Sequence, residues 1–148
     1  MRTIRVGSSV LLFGILAAAW PAAGQQATDA RQPVVLPAPA REKVLAEMRE
    51  MLGALHGVLR ALSVGDRAAA EAAARGAGMG VASEVKPEVR AQLPPPFLQL
   101  GMQTHRGFDV LADQLRGGAT GEEALKSIAA LTANCVACHA MYRLGEAR

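Results

Sequence analysis

The chain is short of large rings. Its 148 residues include three phenylalanines, one tyrosine and one tryptophan. A domain of this length usually fills its core with more aromatic side chains, so something other than protein rings is expected at its centre. Cysteine is nearly as scarce, at two, which excludes a disulfide-stapled scaffold. No set of nucleophile and base is evident, nor a second cofactor motif, so nothing demands substrate turnover and the chain does not read as an enzyme. No stretch alternates polar and apolar residues over a useful length, so no strand is expected. Internal repeats are also missing.

What is present begins with a leader. Arg2 and Arg5 precede an apolar run from Val10 to Trp20, followed by Pro21, Ala22, Ala23 and Gly24. That is the three-part layout of a secretory signal peptide, residues 1–24, with cleavage expected near Gly24–Gln25. The run is too short to span a membrane comfortably. No cysteine follows it to take a lipid, and no second long apolar segment stands out, so stable membrane insertion is not expected. Of the 16 Lys and Arg against 13 Asp and Glu, Arg2 and Arg5 leave with the leader. A net charge of only +1 remains, which argues against a nucleic-acid partner. Trp20 and Phe13 leave too, so Phe97, Phe108 and Tyr142 are the aromatics of the mature domain.

Residues 25–38 are polar and contain proline, and read as a loose lead-in to a domain over 39–148. Four helical patterns follow. In the first, about Pro39 to Ser63, Leu45, Met48, Leu52, Leu55, Leu59 and Leu62 recur at helical spacing and predict the inward stripe. Gly65 breaks it, and Asp66 is the expected N-cap of an alanine-rich second helix over 67–79. The stretch 80–95 is ambiguous, with room for a short helix begun by Pro87. The third helix, about 96–116, carries Leu98, Gly101, His105, Phe108, Ala112 and Leu115 on one face. Thr120 and Glu123 form an expected capping box for a fourth helix running to about Leu144. Its stripe is Leu125, Ile128, Thr132, Cys135, His139 and Tyr142. The expected fold is all-α, an antiparallel four-helix bundle.

Both cysteines fall in "NCVACHAMYR", residues 134–143, as Cys135-x-x-Cys138-His139. This spacing is a c-type haem attachment site. Two thiols add to the haem vinyl groups as thioethers, and the adjacent imidazole can reach the iron. On a helix the three residues share one face, since each step turns about 100°. A thioredoxin-like dithiol would sit at a helix N-terminus beside a strand, where the thiol pKa falls. A zinc site needs more ligands than these three. A disulfide within a regular helix is strained. The export signal agrees with the haem reading, because c-type haem is attached outside the cytoplasm. The haem would supply the apolar bulk that the missing rings leave open.

An exported four-helix pattern ending in C-x-x-C-H resembles cytochrome c′ and its low-spin class II relatives. The likeness is specific only across about 135–143, where "CVACHAMYR" continues with the aromatic Tyr142 and the basic Arg143. It implies one covalent haem c, His139 as the proximal iron ligand, Arg143 beside the proximal face, a periplasmic location, redox partner proteins and a possible homodimer.

The group facing the iron from the other side decides between functions. A methionine there suits electron transfer, whereas an open site suits gas binding. Up-down topology brings the end of helix four beside the starts of helices one and three. Met48 and His105 then lie in the right layer. The low-spin relatives take a methionine from the first helix, and position favours Met48 over Met51. His105 reads better as a packed, hydrogen-bonded side chain, and His56 as a surface residue. The expected protein is a low-spin electron carrier with Met48 as sixth ligand. The alternatives are a five-coordinate protein that binds NO or CO, and a redox subunit of a larger complex.

Overall fold

A computed structural model describes residues 29–82 and 86–146. The expected leader and its cleavage position lie outside the described residues. The fold is mostly helical, with one small sheet: β1 (Gln32–Leu36), α1 (Ala38–Ser63), α2 (Arg67–Arg75), α3 (Met79–Ala82), α4 (Pro87–Arg90), α5 (Pro95–Arg116), α6 (Gly121–Met141) and β2 (Tyr142–Glu146). The helix of 67–79 is thus divided at the Gly76–Gly78 turn, and Pro87 does begin a short helix, as its fixed φ favours.

The helix boundaries have local causes. Gly65 ends the α1 turn at φ 75°, a conformation open to glycine. The Asp66 carboxylate then accepts the Ala69 N–H at 2.9 Å and caps α2. At α6, the Thr120 hydroxyl accepts the Glu123 N–H while the Glu123 carboxylate accepts the Thr120 N–H at 2.8 Å. The capping box is therefore complete. Those hydrogen bonds also hold the Glu123 carboxyl below its ordinary pKa.

Two strands replace parts of the chain expected to be loop and helix. β1 pairs in parallel with β2, with Gln32 opposite Tyr142 and Leu36 opposite Glu146. Val34 and Leu36 are buried while Val35 is 54% exposed, the two-residue period of a strand with one covered face. The lead-in 25–38 therefore contains an ordered strand. The fourth helix ends at Met141, short of Leu144, because Tyr142 turns to extended backbone (φ −125°, ψ 151°). Its ring is buried edge-on against Phe97, centroids 5.5 Å apart. Burial of that ring sets the helix end where no glycine or proline does.

α2 packs between α1 and α5, and α5 packs against α6. The α1 stripe is rotated from expectation. Val44, Val58 and Ala61 are buried, but Leu52 is 67% exposed and Leu59 faces solvent. The reason is the close approach of α2: a Cβ on Gly57 would lie 3.2 Å from the Ala73 Cβ. The small-residue face of α1 meets the alanines of α2, which turns Leu52 and Leu59 outward, while Leu55 and Leu62 still pack against the core. In α6, Leu125 is likewise exposed, and Ala124, Ile128 and Leu131 are buried. The α5 stripe agrees better, with His105, Phe108, Ala112 and Leu115 all buried.

Among the described residues, α6 alone is long and apolar enough to cross a membrane, with mean hydropathy 1.2. Its apolarity is spread over alanines, which is why it does not stand out as a hydrophobic run in the sequence.

The buried side chains form two clusters. One joins α1, α2, α5 and α6 around Val58, Phe108, Leu111 and Leu115. The other joins the sheet to the starts of α1 and α5 around Leu36, Val44, Phe97 and Tyr142.

Candidate functional site

A cavity of about 440 Å³ has walls drawn from both clusters. That volume falls within the roughly 300–1,000 Å³ of small-molecule and cofactor sites. α1 contributes Val44, Leu45, Met48, Met51, Leu52 and Leu55; α5 contributes Phe97, Leu100, Gly101, Met102, His105 and Phe108; α6 contributes Leu131, Thr132, Cys135, Cys138 and His139. The lining is mostly aliphatic and aromatic. Its acidic and basic members are Glu47, Arg49, Arg90, His105 and His139.

The structure brings most of the sequence-based candidates together. Cys135, Cys138 and His139 lie in the closing turns of α6 and line the cavity with Met48 and Met51 of α1. Helical phase explains the first set, since positions 135, 138 and 139 share a face. Met48 packs against the cluster around Phe97 and Met51 against the one around Phe108. His56 is exposed and does not line the cavity. Arg143 does not line it either. It lies in β2, with Nε 3.6 Å from the Asp29 carboxylate. Asp29 also takes a two-point grip from Arg31 at 2.8 and 2.9 Å, and these cations bring its pKa down to about 2.

Both cysteines are free thiols. Burial pushes each thiol above its ordinary pKa. Their place at a helix C-terminus, where the dipole is negative, gives no help to a thiolate. Both features oppose a thioredoxin-like dithiol, which needs a low pKa. Among the described residues, no group of three His, Cys, Asp or Glu side chains is disposed to hold a metal ion by itself.

His105 is buried, with both ring nitrogens engaged. Nδ1 lies 2.7 Å from the Ala77 carbonyl and Nε2 lies 3.1 Å from Glu47 Oε1. A carbonyl only accepts, so Nδ1 donates. For Nε2 to meet a carboxylate favourably it must donate as well, a pairing that the protonated ring satisfies at both nitrogens. Burial works against that charge, but Glu47, the Ala77 carbonyl and the more distant Asp109 outweigh it and hold the pKa above the ordinary value. His105 is therefore the packed, hydrogen-bonded side chain that its position in α5 predicts. Thr104 beside it is buried too, its hydroxyl donating to the Leu100 carbonyl at 2.9 Å.

Several cavity residues escape sequence reading, among them Glu47, Arg49, Arg90 and Met102. Glu47 and Arg49 flank Met48 and could have been found from that adjacency. Arg90 could not, because it sits in the segment whose structure was ambiguous. No protein-family model, curated protein or solved structure matches this chain.

Proposed function

We propose that the protein is an exported, periplasmic c-type cytochrome of the class II kind, carrying single electrons between redox proteins. In this reading α1, α2, α5 and α6 are the four helices of an antiparallel bundle. The observation that carries it is that Cys135, Cys138 and His139 line one apolar cavity together with Met48.

The residues present fit a haem. Cys135 and Cys138 both line the cavity and would supply the two sulfurs for thioether bonds. His139 offers an imidazole to the iron from the same helix, and Met48 offers a thioether from α1. The bound haem supplies a one-electron Fe(III)/Fe(II) couple, whose potential a methionine ligand raises. The apolar walls from Val44, Leu55, Leu100 and Phe108 exclude water around it. His105 and Glu47 neutralise one another, so their burial leaves no isolated charge in the cavity wall.

The test is one set of optical spectra of the protein purified from the periplasm, oxidised and reduced, with and without carbon monoxide. A mass increase of one haem that survives denaturation, with low-spin bands and slow reaction with carbon monoxide, supports the electron carrier. Rapid carbon monoxide binding by the reduced protein supports the five-coordinate gas-binding alternative. Absence of covalent haem overturns both.

A further inference from the structure

Four side chains of the cavity lining other than His139 carry charge, and two of them cancel. Glu47 is the one carboxylate in that lining, and it is paired with the His105 imidazolium at 3.1 Å. Arg49 and Arg90 remain. Neither forms an ion pair with a carboxylate among the described residues, in contrast to Arg75, which holds Asp109 at 3.0 Å and also binds Asp113. Arg90 is half-buried, and one of its Nη atoms donates to the Ala82 carbonyl at 2.8 Å. That bond ties α4 to the end of α3 and steadies the guanidinium at the cavity wall. Its other N–H donors have no carboxylate partner among the described residues. An otherwise apolar cavity with two uncompensated arginines is electrostatically suited to a ligand that is apolar over most of its surface and anionic at one edge.

The position of the two arginines relative to the thiols sharpens this. Cys135 and Cys138 lie on α6, while Arg49 lies on α1 and Arg90 on α4. Thioether bonds fix the vinyl-bearing edge of a haem at α6. The two carboxylates of haem are on the edge away from the vinyl groups, so they are directed away from α6.

We infer that Arg90 and Arg49 form the carboxylate-binding end of the cavity and pair with the propionates of the covalently held haem. This rests on the haem reading. Arg90 supplies a fixed fork for one carboxylate, and Arg49, at the exposed rim, supplies a second cation. The pairing neutralises charge that the apolar walls would otherwise leave poorly solvated. The arginines act as positioning residues, since they touch the macrocycle's periphery and leave the iron to His139 and Met48.

The experiment uses the haem-loaded protein, with haem content measured first. Resonance Raman spectra follow the propionate-bending band from pH 3 to pH 8 in the wild type and in Arg90→Gln, Arg90→Lys and Arg49→Gln. In the wild type the propionates should stay ionised to below the ordinary carboxyl range. In Arg90→Gln or Arg49→Gln the band should shift and the propionate titration should rise by about one pH unit or more. Arg90→Lys should restore part of it. The reduction potential should fall in the Gln variants, because removing a cation favours the oxidised iron. If Arg90→Gln loses its fold through the Ala82 bond, the wild-type titration still decides. Ordinary propionate titration in the wild type, or haem-loaded Gln variants with unchanged band and titration, overturns the assignment. A wild type without covalent haem overturns the haem reading itself, which is a different result.

Discussion

Nε2 of His105 on α5 lies 3.1 Å from the carboxylate of Glu47 on α1, inside the wall of the cavity. The pair joins α1 to α5, and it does so with a ring that is only 3% exposed. Its stability effect depends on pH in a definite direction. The folded-state pKa of His105 lies above the value near 6.5 of an unfolded histidine. The folded protein therefore holds the proton more tightly, and the stabilisation is fully present below about pH 6.5. It is lost as pH rises through the folded pKa. The groups facing the ring are Glu47 from α1, the Ala77 carbonyl after α2, and Asp109 from α5, whose own charge is shared with Arg75. Melting temperature should fall as pH rises through that window. Glu47→Gln should flatten the fall and cost about 1–3 kcal/mol at pH 6. A Glu47→Gln profile that follows the wild type would refute the coupling.

Met48 and Met51 both line the cavity, yet they pack against different clusters. Met48→Ala should convert the iron to high spin and open it to carbon monoxide. Met51→Ala should leave the low-spin spectrum unchanged and cost about 2–4 kcal/mol, as a partly buried side chain truncated in a packed wall. The reverse pattern in the optical spectra would exchange their roles.

Removing both thiols tests what the cavity contributes to packing. Cys135→Ala with Cys138→Ala should carry no covalent haem and should unfold at a lower temperature over a broader range. In the haem reading the cavity walls would then lose the group that fills them, and few aromatic side chains exist to close in. Calorimetry that shows sharp two-state melting at an unchanged midpoint would contradict this.

Two helical glycines make a paired test of packing. A Cβ on Gly107 would lie 2.7 Å from Leu131 Cβ, an atom too near its own backbone to move cheaply. At Gly53 no heavy atom lies within 4 Å of such a Cβ. Gly53→Ala should therefore stabilise by about 0.5–1 kcal/mol through the helix propensity of alanine. Gly107→Ala should destabilise by about 1–2 kcal/mol, because overpacking between α5 and α6 exceeds that gain. Denaturant midpoints at unchanged slope measure both.

The first strand offers a third stability contrast. Leu36 is fully buried and its neighbour Val35 is 54% exposed. Leu36→Ala should cost about 2–4 kcal/mol, while Val35→Thr should stay within about 0.5 kcal/mol. Equal, small effects in chemical denaturation would mean that β1 does not belong to the folded core.

Much of the helical layout was legible because its signals are local. The Thr120–Glu123 capping box, the Asp66 cap and the prolines before α4 and α5 act within a turn or so of their own residues. The α5 stripe was legible for the same reason, since one face carries its large side chains. The α1 stripe was legible only in part: Met48, Leu55 and Leu62 pack inward, but Leu52 and Leu59 were also taken as inward, and the contact that turns them out is made by Gly57 against Ala73. Small residues that permit close approach carry no hydrophobic signal. The sheet was missed for a different reason. β1 has five residues, one of them proline, and its partner lies at the far end of the chain.

By itself, the sequence determined the mainly helical class, most helix starts and stops, and the shared helix face of the candidate set Cys135, Cys138 and His139, because capping, turn chemistry and helical phase depend on near neighbours. Only the tertiary structure decided which residues face that set. It put Met48 and Met51 along the same cavity, tied His105 to Glu47, left Arg49 and Arg90 without acidic partners among the described residues, and ended α6 at Met141 to bury Tyr142 against Phe97. Those relationships join residues far apart in the chain. They arise from which faces pack most closely, a property of the whole assembly of helices that no short window of residues carries.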